Sequence, residues 1–128
     1  MVYLAQKAQE GPQPLRAIAQ SNLLPDQYLE QLLGCLRKAG LVNTVRGAQG
    51  GYQLAKPPAE ITVGHIIDAM EGPLNLSECA VESEPFKCPH SQACPAKPVW
   101  EYLTNSINAL LHSITLEDVL TSKEMKTP

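Results

Sequence analysis

The chain has 128 residues, 44% hydrophobic and only 5% aromatic, with a formal net charge of −3. That supplies one core built mainly of leucine, isoleucine and alanine, and it excludes global disorder. No apolar run approaches the ~18–20 residues of a membrane span, and Lys7, Glu10 and Pro12 interrupt any signal sequence, so the chain reads as cytoplasmic with no membrane partner.

Tyr3, Leu4, Ala5 and Ala8 predict the tail of a helix ended by Glu10, Gly11 and Pro12. Residues 14–20 predict a short helix with Pro14 in its first turn, where the missing N–H does no harm, and Leu15, Ile18 and Ala19 inward. A turn at 21–24 leads to a second helix from Pro25-Asp26 to about Ala39. Its stripe is Tyr28, Leu29, Leu32, Leu33 and Leu36, and Gly40 is its stop. Two short helices across a tight turn make a helix-turn-helix, a geometry shared by DNA-binding proteins and unrelated ones. Cys35 lies opposite or at the border of the leucine stripe and reads as a small packing residue.

LVNTVRG (41–47) and YQLA (52–55) predict two strands turning at AQGG (48–51), a hairpin placed where a wing would be. Arg46 then projects from the tip beside Gly47, where a narrow minor groove would attract it; a solvated arginine on a glycine-rich hairpin fits as well. Residues 1–56 hold six basic and three acidic side chains, the remainder four and ten. A basic half followed by an acidic half suits a DNA-facing module joined to an effector or dimer module, though random scatter gives the same counts.

Thr62 caps a helix to about Glu71 with Val63, Ile66, Ile67 and Met70 on its apolar face, and Gly72-Pro73 stops it. Residues 73–98 are irregular and proline-rich. They hold Cys79, Cys88 and Cys94 within sixteen residues, a clustering that suggests metal chemistry more than packing. A longer helix returns from Val99 to about His112, with Val99, Leu103, Ile107, Leu110 and Leu111 in its stripe, joined by Trp100 at the edge. Thr115 and Asp118 match a capping box for a last helix at 116–121. His65 reads as a local turn contact and His112 as a favourable helix-end charge. No nucleophile–base pair or paired carboxylates are set out for catalysis, so an enzyme is not expected.

The motifs YLEQLL, LRKAGLV, VRGAQGGYQLA and ITVGHII, within residues 25–72, resemble those of the Rrf2 family of bacterial transcriptional regulators, and the likeness spans essentially the whole chain. The resemblance implies a mainly α fold with a small β-hairpin wing: a winged helix-turn-helix (1–72), a cysteine-containing cluster loop (73–98), and a dimerisation helix and tail (99–128). It implies a homodimer on a palindromic double-stranded DNA operator. Gln27, Tyr28, Glu30 and Gln31 would enter the major groove, and Arg46 with Gly47 would meet the minor groove. Glutamines one turn apart suit bidentate bonds to adenine, and Glu30 can accept from cytosine N4. Lys38 and Arg37 are phosphate contacts or solvated charges.

The family also places three cysteines here, implying that Cys79, Cys88 and Cys94 hold an iron–sulfur cluster, 2Fe–2S or 4Fe–4S; soft thiolates suit that role. Zinc is second choice, since no C-x2–4-C pair is present. Some relatives supply a histidine three residues after the last cysteine, where this chain has Lys97, so His90 becomes the best fourth ligand, ahead of Glu78, Glu82 and Glu84. The family's usual opening of roughly a dozen residues is missing here, which predicts weakened DNA affinity. The expected function is a repressor sensing redox, iron or nitric-oxide status. Two alternatives stand: direct thiol oxidation without a cluster, and a protein partner as the signal.

Overall fold

The computed structural model describes residues 1–78, 88–90 and 92–121. In chain order these form α1 (Val2–Gln6), α2 (Leu15–Asn22), α3 (Asp26–Lys38), β1 (Val42–Val45), β2 (Gly51–Leu54), α4 (Val63–Glu71), α5 (Lys97–Ser113) and α6 (Leu116–Leu120). Short 3-10 turns follow α1 and β2. The mainly helical fold with one antiparallel hairpin is the winged helix-turn-helix architecture that the sequence predicts.

The core forms where one side of each helix is apolar. Ile18 and Ala19 of α2 meet Leu29, Leu33 and Leu36 of α3, and Leu4, Ala5, Leu41, Val42, Ile61 and Leu116 complete the cluster. Leucines at steps of three and four stay on one side of a helix, so their burial fixes the rotation of α3 about its axis. Tyr28, placed in that stripe from sequence, is instead 52% exposed. It sits more than a quarter turn from the line through Leu29, Leu33 and Leu36, at the margin of the buried side.

Between α2 and α3 the turn differs from expectation. α2 continues through Asn22 instead of ending at residue 20, because the Asn22 side-chain amide donates back to the Ile18 carbonyl (2.8 Å) and the turn is compressed into Leu23. Leu23 takes the left-handed conformation at φ 53, and its Leu24 neighbour donates to the Ala19 carbonyl (3.0 Å). Its side chain is 91% exposed.

β1 and β2 pair from Val42–Leu54 to Val45–Gly51. Gln13 adds a third short rung, exchanging backbone hydrogen bonds of 2.8 Å with Tyr52 in both directions. The hairpin is thereby moored to the segment entering α2. The approach is so close that a Cβ on Gly51, at φ 152, would overlap the Gln13 carbonyl.

A second bridge joins distant parts of the chain. The Leu116 N–H donates to the Ile61 carbonyl (2.8 Å) and the Val63 N–H to the Ile114 carbonyl (2.8 Å), pairing Thr62 with Thr115. Each threonine caps the helix it precedes: Thr62 Oγ1 accepts from the His65 N–H (3.1 Å), and Thr115 Oγ1 from the Asp118 N–H (3.1 Å). Their N3 side chains return the bond, Asp118 as the sequence predicts and His65 through Nδ1. α5 begins at Lys97, two residues before the expected Val99. Pro98 falls in its first turn, where its missing N–H has no helical partner to lose.

Two substitutions should move stability in opposite directions. Leu23→Gly removes left-handed strain without losing packing, and after the added unfolded-state entropy it should stabilise by roughly 0.5–1 kcal/mol, a rise in Tm of about 2–4 °C. Gly51→Ala should lower stability by about 2 kcal/mol or more, since backbone meets backbone there. Thermal unfolding followed by circular dichroism checks both signs.

Candidate nucleic-acid interface and cysteine segment

With its leucine side buried, α3 presents the opposite side to solvent. At ~3.6 residues per turn, Gln27, Gln31, Gly34 and Lys38 fall along one outer line, with Glu30 on one flank and Tyr28 and Cys35 on the other. Gln27, Tyr28, Glu30, Gln31, Cys35 and Lys38 are all exposed. Cys35 is therefore not the packing residue expected from sequence: it lies one turn beyond Gln31 on the polar face. Its position follows from the rotation that the buried leucines impose. Gly34 has no atom within 4 Å of where a Cβ would stand, so the surface is open there.

Pro25 precedes α3 without any side-chain cap, leaving first-turn N–H groups toward solvent. Such groups carry the positive end of the helix dipole and favour an anion, although Asp26 in the same turn opposes one. At the hairpin tip Arg46 and Gly47 are exposed, as the sequence predicts. Gly47 has φ 118, and a Cβ on Gly50 would strike the Val45 carbonyl, so the tip closes over backbone alone. The guanidinium of Arg46, Lys38 and the polar α3 residues make no hydrogen bond or ion pair among the described residues. The outer face of α3 and the wing together form a polar surface whose donors are uncommitted.

At the other end of the chain, Cys88 and Cys94 are partly exposed free thiols. His90 between them is exposed, and its carbonyl accepts from the Ala93 N–H (3.1 Å). The Cys94 carbonyl accepts from the Lys97 N–H (3.3 Å), so the second thiol directly precedes α5. Cys79, with Glu82 and Glu84, lies outside the described residues. Among the described residues no three His, Cys, Asp or Glu side chains are gathered to hold a metal ion. The donor chemistry of two thiols and an imidazole fits iron. Lys97 does not: its ammonium is donor-only and sits 3.7 Å from the Glu101 carboxylate.

α5 carries two unlike faces. Val99, Trp100, Tyr102, Leu103 and Leu110 are exposed, among them four residues of the apolar stripe read from the sequence. Inward instead points Thr104, 3% exposed, whose Oγ1 accepts from the Leu76 N–H (3.5 Å). One turn on, the Asn108 amide donates to the Leu74 carbonyl (3.0 Å). One turn further, His112 places Nδ1 2.9 Å from the Asn108 carbonyl and Nε2 3.1 Å from an Asp68 carboxylate oxygen. His112 is thus a cross-helix contact to α4 and not only a helix-end charge. Nothing in the sequence pointed to this polar line, because it is recognisable only once α4 and residues 74–76 lie against α5.

The family described as Rrf2, iron-dependent transcriptional regulator, matches residues 1–122. The chain is 43% identical over 119 residues to the HTH-type transcriptional regulator CymR of Bacillus subtilis, covering 93% of this chain and 80% of that protein. The solved structure of that global cysteine regulator superposes with a TM-score of 0.72 at 40% identity, over 96% of this chain and 88% of the other. The structure of T. potens IscR gives a TM-score of 0.73 at 43% identity, over 99% and 84%. The oxidised form of Staphylococcus aureus CymR is similar at 39% identity and a TM-score of 0.67, over 98% and 89%.

Proposed function

This chain belongs to the Rrf2 family of transcriptional regulators, and from that membership we propose that it is a homodimeric repressor of a palindromic operator, governed by its cysteine segment. The observation that carries the reading is the pairing of an exposed, uncommitted polar face on α3 with an exposed arginine at the wing tip. Gln27 and Gln31 read adenine edges in the major groove, with Glu30 accepting from cytosine N4 and Tyr28 flanking them. Lys38 neutralises phosphate, and Arg46, with Gly47 allowing close approach, enters the minor groove.

The exposed apolar face of α5 is the dimerisation surface, and two copies would present two recognition helices to the two half-sites of a palindrome. Cys79, Cys88 and Cys94 would hold an iron–sulfur cluster, with His90 as the fourth ligand. Such a cluster would supply redox- and ligand-responsive chemistry when bound. The chain's part is to supply thiolates and to seat the last of them at the start of α5. Partial exposure of Cys88 and Cys94 supports either cluster assembly or direct oxidation. A second reading, cluster-free thiol oxidation, is favoured by the likeness to CymR, a cysteine regulator one of whose relatives was solved in an oxidised form.

Reconstitution with iron and sulfide under anaerobic conditions separates the two readings. The cluster reading expects a coloured protein with bound iron and sulfide, lost in Cys88→Ala; a colourless, iron-free product leaves thiol oxidation as the signal. For the interface, Arg46→Ala should weaken operator binding by about 1–2 kcal/mol, roughly tenfold, and reduce the slope of log affinity against log salt by about one. Titrations at three salt concentrations read both quantities, and unchanged values would remove Arg46 from the DNA surface. Gln27→Ala should alter the motif recovered by selection from random duplexes more than it alters non-specific affinity.

A further inference from the structure

Thr104, Asn108 and His112 recur every four residues and so lie on one line of α5. The first two grip residues 74–76. Since Asn108 holds Leu74 and Thr104 holds Leu76, that segment runs antiparallel to α5, toward the helix end that Cys94 immediately precedes. α5 therefore fastens both the entry and the exit of the cysteine segment.

The third residue of the line faces the DNA-binding half. Its imidazole lies over Gly64 of α4, so closely that any Cβ there would overlap the ring. His65 meets it edge-on, with ring centroids 5.4 Å apart, and Asp68 bonds Nε2. A neutral imidazole donates to either the Asn108 carbonyl or the Asp68 carboxylate, and an imidazolium donates to both. α4 in turn lays Ile66, Ala69 and Met70 against the core that holds α3.

Apolar contact is non-directional and tolerates sliding, whereas hydrogen bonds fix axial register. A polar line at this junction locks the position of residues 74–76 along α5 and the position of α5 against α4. We propose that Thr104, Asn108 and His112, with Asp68 as the acceptor on α4, are positioning residues that transmit the state of the cysteine segment to the recognition helix. The inference rests on the reading that this segment is the sensor.

The test uses the full-length chain and a labelled duplex selected from random DNA by the wild-type protein. Operator affinity is measured in two pairs of states: iron–sulfide-reconstituted against metal-free, and thiol-reduced against diamide-oxidised. Wild type should show a ratio of at least about fivefold in one pair, the lower end of typical coupling between sites. Asn108→Ala and Asp68→Ala should bring that ratio close to one while keeping affinity in the tighter state within about threefold. Thr104→Val should do the same, and Thr104→Ser should retain the wild-type ratio. Asp68 is partly exposed, so its variant keeps the test decisive if a buried substitution unfolds the chain. Variants that keep the full ratio overturn the proposal. A ratio of one in wild type, in both pairs, overturns the sensing reading and the proposal with it, and it shows in the parent protein before any variant is made.

Discussion

Burial of Leu29, Leu33 and Leu36 is the constraint on which the molecule depends. Each side chain removed from water contributes on the order of 1.5–3 kcal/mol, and together they leave α3 a single rotational setting. Everything chemically interesting on that helix follows from the setting. Gln27, Gln31 and Lys38 are turned outward, Tyr28 leaves the core, and Cys35 reaches the same surface. The hairpin is held to this frame through the rung between Gln13 and Tyr52, so the wing is tied to the segment that leads into α2 and α3.

The joint between Ile61–Val63 and Ile114–Leu116 does comparable service for the C-terminal half. Ile61 and Leu116 are 0% and 1% exposed, and their backbones pair across more than fifty residues of sequence. Because the pairing is antiparallel, the two capped helices leave this joint from opposite ends, which sets the direction of α4 relative to the end of α5. The polar line of α5 can meet both α4 and residues 74–76 because the joint fixes that geometry.

The exposed apolar residues of α5 and its inner polar residues invert the usual pattern of a surface helix. Thr104 is buried and bonded, whereas Val99 and Tyr102 are 54% and 72% exposed. An apolar strip of this length on one chain is explained when a second copy covers it, as the proposed dimer does. Of the cysteine segment, Cys94 lies just before α5, its carbonyl accepting from the Lys97 N–H.

Local order was legible in the sequence where a signal is carried by neighbouring residues. The three-four leucine spacing, Gly40 after α3, the glycine-rich hairpin turn and the Thr115–Asp118 capping box all specify their structures over a few residues, and the family motifs add the winged-helix assignment. Exposed Arg46 followed from its place where the strand meets the hairpin turn, and the outward glutamines from the family resemblance. What spacing could not reveal depends on which surfaces meet. Tyr28 and Cys35 sit at the margins of a stripe, where burial is decided by the neighbour and not by the residue. Asn22 extended α2 by folding back on Ile18, and Leu23 accepted a strained φ that its composition disfavours. The contact of His112 with Gly64 and Asp68, and the pairing of Ile61 with Leu116, arise only when distant segments pack. The sequence by itself determined the helices, the wing and the thiols; tertiary structure decided which side of each helix faces water, because burial is a property of the assembled surfaces.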